Sequence, residues 1–103
     1  MNNAIEIPIL NKNQELDIQL GRKNYHLRIK YMEFCGWVLD VMTQAKEEIL
    51  MGIPLLHGVD IFGQYRYLGL EGSLLFYCED PSYETDMNEA GKGNRLYFTQ
   101  DSQ

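Results

Sequence analysis

Apolar residues recur at every second position in two neighbouring runs of this sequence. Leu16, Ile18 and Leu20 alternate with polar residues, and a second run alternates in the same way over residues 25–31. A period of two is typical of a β-strand with one buried face. Between the runs, Gly21-Arg22 suits a two-residue type II′ turn. The pattern therefore predicts a β-hairpin in this part of the chain.

Short runs of the same kind predict further strands before and after this hairpin. They cover residues 5–9, 37–42, 48–51, 73–78 and 94–99. Seven or eight short strands at close spacing predict an all-β fold, either a small antiparallel β-barrel or a sandwich. No internal repeat or linker divides the chain. We therefore expect a single β domain over residues 1–103, with its core in 4–99 and a flexible tail at 100–103.

The segment Gln44–Glu47 leaves two conformations open. Its residues are good helix formers, and a single helical turn is compatible with them. We favour a hairpin turn at 44–46, because strands flank it on both sides and isolated short helices are marginal. In the strand before it, Asp40 alternates with apolar residues, so we expect its side chain to face water or a partner.

The charge balance restricts the classes of partner. Fifteen acidic residues against nine basic ones give a net charge of −6, and the only basic cluster lies in residues 22–30. A phosphate backbone requires clustered cations, so we expect no nucleic acid partner. No apolar run approaches the length of a membrane span, so we expect no membrane partner and synthesis in a cytoplasm.

Residue types that support catalysis or metal binding are few and dispersed. Cys35, Cys78, His26 and His57 each stand alone, without the paired spacing of a structural zinc site. No nucleotide-binding or hydrolase motif occurs. We therefore predict no catalytic residue, no metal, no cofactor and no enzymatic activity, and we expect both thiols to be reduced.

Surface suited to protein contact is the stronger signal. The chain has seven tyrosines, which are enriched at interfaces, although packing against a small core explains them equally well. Basic residues concentrate in the hairpin and acidic residues in a long loop at 79–93, so copies of the chain would be able to pack head to tail. Scattered surface charge is the alternative. Our interface candidates are Arg22, Lys23, Arg28, Lys30, Tyr65, Tyr67, Tyr77, Glu79, Asp80, Glu84 and Asp86.

Three stretches follow one another in a recognisable order. They are Trp37-Val-Leu-Asp-Val41, Gly52-Ile-Pro-Leu-Leu-His-Gly-Val-Asp-Ile61 and Tyr67-Leu-Gly-Leu-Glu-Gly-Ser-Leu-Leu-Phe76, and a polar loop and Leu96-Tyr-Phe98 come after them. In order, spacing and total length, residues 5–98 resemble the small baseplate plug proteins of contractile-tailed bacteriophages, first described in a cyanophage. The segment 44–47 departs from the more turn-like sequence that family members often carry there.

The resemblance implies a non-enzymatic structural protein of the virion tail baseplate. It implies that the protein plugs or secures the distal tube and hub channel and contacts tube, hub and spike proteins. We expect a symmetric homo-oligomer, a trimer or a hexamer, assembled in the host cytoplasm, with strand edges and tyrosine faces docking neighbouring subunits. The alternative is a free-standing small β-barrel module that binds a peptide or glycan through an aromatic face around Tyr65, Tyr67 and Tyr77.

Overall fold

The computed structural model describes residues 4–33, 36–70 and 72–99, and their strands form two antiparallel sheets. The strands are β1 (Ala4–Ile7), β2 (Gln14–Leu20), β3 (Lys23–Met32), β4 (Gly36–Thr43), β5 (Glu48–Pro54), β6 (Ser73–Cys78) and β7 (Asn94–Thr99). One sheet has the order β1-β7-β6 and the other the order β2-β3-β4-β5. The predicted all-β fold of seven or eight strands is confirmed. Of the two architectures left open, the described residues form the sandwich, because the two sheets do not join into a closed barrel.

The core lies between the two sheets. Alternate residues of both sheets point into it, as in Leu27 and Leu39 from one sheet and Leu74 and Leu96 from the other, all fully buried. Phe62, in the connection between β5 and β6, fills the space between them. Its ring centroid lies 6.1 Å from that of Tyr25 in β3 and 6.1 Å from that of Phe98 in β7. One aromatic side chain therefore contacts both sheets.

The two predicted hairpins are confirmed. Leu20 pairs with Lys23 across a two-residue turn in which Gly21 has φ 66°, the conformation that a type II′ turn requires of its first residue. At the next turn, the Thr43 N–H donates to the Glu47 carbonyl at 2.8 Å, which encloses a three-residue loop. Lys46, the last residue of that loop, has a left-handed backbone conformation with φ 67°, which is common in hairpin loops of this length. The segment therefore forms a turn and not a helix.

The first strand ends earlier than its sequence pattern predicts. β1 stops at Ile7, because Pro8 has no N–H to donate to a ladder, although Ile9 is still buried in the core. β1 pairs with β7 and not with β2, so residues 8–13 cross from one sheet to the other. β1 is an edge strand of its sheet. The predicted tail at 100–103 lies outside the described residues.

The connection between β5 and β6 differs most from expectation. β5 continues to Pro54, beyond the predicted end at residue 51, and two register shifts interrupt its pairing with β4. After it, a 3₁₀ segment over Phe62–Leu68, kinked at Tyr65, occupies a stretch for which the sequence pattern predicted no element. This segment carries two of the predicted interface tyrosines, Tyr65 and Tyr67.

Candidate functional site

The outer face of the four-stranded sheet carries a buried carboxylate. Asp40, in β4, is only 2% exposed, and its Oδ2 atom accepts a hydrogen bond from Arg28 Nε at 2.9 Å and lies 3.6 Å from Lys30 Nζ. Its Oδ1 atom accepts the Gly52 N–H at 2.7 Å. Burial acts to raise the pKa of Asp40, but the Gly52 amide and the two cations outweigh it and lower that pKa. The expectation that Asp40 faces water or a partner is wrong, because cations of the same chain enclose it.

Beside this carboxylate, a histidine bridges two acidic side chains of the neighbouring strand. His26 is buried, with Nε2 at 2.6 Å from Glu15 Oε1 and Nδ1 at 2.7 Å from Asp17 Oδ1. The contacts with Glu15 and then Asp17 raise the pKa of His26 against the opposing effect of burial. The hydrogen bond between His26 and Glu15 lowers the pKa of Glu15. Both contacts favour the imidazolium form, which has two N–H donors.

The charges on this face balance within the chain. Three carboxylates meet three basic side chains there: Glu15, Asp17 and Asp40 against His26, Arg28 and Lys30. A fourth basic residue, Lys23, donates from Nζ to the Gly69 carbonyl at 2.8 Å. The remaining basic interface candidate, Arg22, is exposed in the turn between β2 and β3. Most of the predicted basic patch is therefore engaged inside the chain.

The acidic interface candidates lie in the loop between β6 and β7. The loop contains two short 3₁₀ turns, Pro81–Tyr83 and Met87–Glu89. Asp80 and Asp86 each accept the backbone N–H two residues later, at 3.0 and 2.9 Å, and Glu84 accepts the N–H of His57 at 2.6 Å. These bonds shape the loop and tie it to the β5–β6 connection. Because they use only part of each carboxylate, the loop still presents negative charge to its surroundings.

Two of the candidate tyrosines lie together on the 3₁₀ segment. Asp60 holds this segment against β6, because its carboxylate accepts the Gly63 N–H at 2.9 Å and the Ser73 hydroxyl at 2.8 Å. Tyr65 packs against the core, whereas Tyr67 is 80% exposed, and their ring centroids are 6.3 Å apart. Tyr67 is thus an exposed aromatic side chain beside a partly buried one, and tyrosine is a residue type enriched among interface anchors.

The third candidate tyrosine belongs to a different surface. Tyr77 projects from the outer face of β6, is half exposed, and packs its ring against His57 at 5.5 Å between centroids. Together with Leu75 and Tyr97 it lines a shallow apolar depression of about 410 Å³ on the three-stranded sheet. Among the described residues, the ring contacts pair Tyr65 with Tyr67 and Tyr77 with His57, and none joins Tyr77 to the other two. The aromatic face expected for a peptide or glycan module therefore consists of two ring pairs on different elements.

The histidine and cysteine near this surface have structural contacts. His57 Nδ1 accepts the backbone N–H of Cys78 at 2.8 Å, which places the ring proton on Nε2. Cys78 is buried and free, and burial, helped by the charge of Glu84, raises its pKa to about 11. Such a thiol stays protonated and unreactive at neutral pH. The other cysteine, Cys35, lies outside the described residues.

In the part of the chain that the structure describes, no group of three or more His, Cys, Asp or Glu side chains is placed to hold a metal ion. None of the helices described is long and apolar enough to cross a membrane.

A family model for the cyanophage baseplate Pam3 plug gp18 matches residues 4–101. The chain belongs to this baseplate plug family. The match includes all seven strands, so the resemblance drawn from the three sequence stretches is confirmed for the whole fold. The comparison with curated proteins gives no match.

Membership of the plug family gives the exposed surfaces a context. It places the protein at the baseplate of a phage tail and implies contacts with other baseplate and tail proteins. The exposed groups available for such contacts include Tyr67, the depression beside Tyr77 and the acidic loop. Sequence reasoning missed Leu75 and Tyr97 as members of that depression. Their alternation with buried Leu74, Phe76, Leu96 and Phe98 was the signal that could have identified an outward apolar face.

Proposed function

We propose that this protein plugs or secures the distal tube and hub channel of a phage tail, through protein–protein contacts in a symmetric assembly. The family match over residues 4–101 is the observation that carries this proposal. The partners are tube, hub and spike proteins, and the assembly contains three or six copies and forms in the host cytoplasm. The protein performs no catalytic turnover in this role.

The distribution of exposed side chains supports a role with several partners. Tyr67 and the neighbouring Leu68 are exposed at the 3₁₀ segment, while Tyr77 is exposed on the outer face of the three-stranded sheet. Exposed aromatic and apolar residues on more than one side suit a protein that is enclosed by neighbours. A plug between tube, hub and spike requires such contacts on more than one side.

The charge distribution favours contacts with other tail proteins over a ring held mainly by opposite charges. Arg28 and Lys30 pair with Asp40, and Lys23 bonds to Gly69, so few cations are free to meet the acidic loop of a second copy. The acidic loop is then more complementary to a basic surface of a hub or tube protein than to the β2–β3 hairpin of a second copy. Symmetry would come from the surrounding ring of tail proteins.

Mass spectrometry of purified tails tests the proposal. We expect this protein in intact tails at three or six copies for each baseplate, and its removal should leave particles with an open or unstable distal channel. Absence from purified infectious virions contradicts the proposal. A free chain that is catalytically active on a small substrate contradicts the non-enzymatic part of it.

A further inference from the structure

The four outer strand edges of the two sheets are not equally protected. The free edge of β6 is covered, because the Gly58 and Ile61 N–H groups donate to the carbonyls of Phe76 and Leu74 at 3.0 and 2.8 Å. β5 has two register shifts and ends in Pro54, features that disrupt further pairing. Natural sheets commonly shield their edges in these ways. The two remaining edge strands are β2 and β1.

β2 and β1 differ in the side chains that they present. β2 carries Glu15 and Asp17, two exposed carboxylates that disfavour an added strand. β1 has the sequence Ala-Ile-Glu-Ile, and among the described residues its backbone pairs only with β7. Ile5 points toward the core face but is 43% exposed, although its partner Phe98 is 2% exposed. An apolar, unshielded edge of this kind is a template for strand addition.

The outer face next to this edge is also apolar. Ala4 of β1 lines the same depression as Leu75, Tyr77 and Tyr97. Glu6 lies on this face as well, with its carboxylate 3.6 Å from Arg95 Nη1. A strand added beside β1 would therefore meet apolar side chains on both faces and one carboxylate.

The charges at this edge argue against a second copy as the occupant. Two β1 strands paired about Glu6 would place two carboxylates directly opposite each other, which destabilises a sheet. If the two β1 strands paired with Ile5 opposite Ile5, Ile7 of each strand would have no partner in β1 of the other copy. Beyond Arg95 the surface is acidic, since Glu79, Asp80 and Glu89 outnumber the local cations Lys92 and Arg95. A partner with basic residues complements this surface, and another copy of an acidic chain does not.

We propose that β1 is completed in the baseplate by an extended segment of a different tail protein, which adds as a fourth strand to the three-stranded sheet. This inference rests on the proposed function and names the contact through which that function is exercised. The segment alternates apolar residues with a basic residue opposite Glu6. Backbone hydrogen bonds supply the attachment, and the apolar side chains cover Ile5 and the depression beside Tyr77.

Hydrogen exchange in two states of the protein tests the proposal. We expect the amides of β1 to exchange at least about tenfold more slowly in purified tails than in the free chain, because an added strand supplies new hydrogen-bond partners. The exposed β2 edge serves as the internal reference and should change less. Unchanged β1 exchange in tails that contain the protein overturns the inference alone. Tails that lack the protein overturn the proposed function, and the inference with it.

A matched pair of variants tests the same contact independently. Ile5→Lys places a charge on the open edge, and Leu10→Lys makes the same kind of change at a residue that is 53% exposed and outside β1. We expect Ile5→Lys to reduce incorporation into tails by at least about tenfold, while Leu10→Lys stays within about twofold. Equal incorporation of folded variants overturns the proposal. So does a tail map in which the strand beside β1 is the β1 of a second copy.

Discussion

The Nε2 atom of His26 lies 2.6 Å from a carboxylate oxygen of Glu15, on the outer face of the four-stranded sheet. The other ring nitrogen lies 2.7 Å from Asp17. A neutral imidazole has one N–H, so only the charged form donates to both carboxylates. Because β2 is an edge strand, the protonation of His26 affects two of the side-chain contacts that hold this strand to β3.

This geometry predicts that the protein loses stability as the pH rises above neutrality. The pKa of His26 is raised above its ordinary value of 6.5 in the folded protein. The contribution of His26 to the free energy of unfolding is therefore complete below the unfolded-state pKa, and it is lost as the pH rises through the folded-state pKa. Urea denaturation at about pH 6 and about pH 9 measures the change in the free energy of unfolding. His26→Gln, which cannot take up a proton, should remove most of this pH dependence. Parallel pH profiles for the two proteins would contradict the assignment.

The buried ion pair predicts a second effect, on the acidic side. The pKa of Asp40 is lowered in the folded protein. The contribution of Asp40 to the free energy of unfolding is therefore present above the unfolded-state pKa, and it is lost as the pH falls through the folded-state pKa. Asp40→Asn should lower the free energy of unfolding by about 2 kcal/mol, less than for a fully buried pair because Arg28 and Lys30 keep contact with water. The exposed Glu47→Gln is the control and should change stability by less than about 0.5 kcal/mol. Equal effects of the two variants would refute this account of Asp40.

The Asp40 pair also shows where prediction from sequence ended. Alternation predicted the β2–β3 hairpin, and the Gly21-Arg22 turn followed from its residue types. The same rule predicted that Asp40 faces water or a partner, because alternation within one strand does not show which side chains of a neighbouring strand cover a position. The available signal was the pair of apolar neighbours on the same face, Val38 and Met42, both of which are buried. Cross-strand contacts depend on register, which is set by the turn geometry together with the patterns of both strands.

The same limit applies to the candidate site. The interface prediction for Tyr65, Tyr67 and Tyr77 rests on residue type, and the structure places the first two on a 3₁₀ segment and the third on β6. The near-continuous apolar run of β6 is buried on one face only. Its buried residues face the core, and Leu75 and Tyr77 face outward. Nothing in the run itself indicates that Tyr97 of the neighbouring strand joins them.

Two glycines with similar positive φ angles provide a third prediction. Gly58 and Gly72 have φ 78° and 88°, but a Cβ at Gly58 would meet no atom within 4 Å, whereas one at Gly72 would lie 2.4 Å from the Thr99 carbonyl oxygen. Gly58→Ala should therefore cost about 1 kcal/mol for the left-handed conformation alone. Gly72→Ala should cost about 2 kcal/mol more, because the backbone of β7 must move. Thermal denaturation of both variants measures these losses of stability. Equal losses would contradict the prediction, because they would show that the β7 backbone moves at no cost in free energy.

The exposed tyrosine of the 3₁₀ segment provides a prediction about assembly. Tyr67→Ala should leave the free energy of unfolding within about 0.5 kcal/mol, since the side chain is 80% exposed. It should reduce incorporation into tails by about tenfold or more if the ring is buried against a partner. Gln64→Ala, at an exposed position of the same segment, is the matched control. Quantitative mass spectrometry of tails gives the ratio, and equal incorporation of the two variants would exclude Tyr67 as an anchor.

The most direct test of the central claim is a cryo-electron microscopy map of intact tails. We expect density for this two-sheet sandwich on the tail axis at the baseplate, in contact with tube and hub proteins and repeated three or six times. The β1 edge, Tyr67 and the depression beside Tyr77 should face neighbouring chains. A map in which this protein lies away from the channel, with these surfaces in solvent, would contradict the plug function.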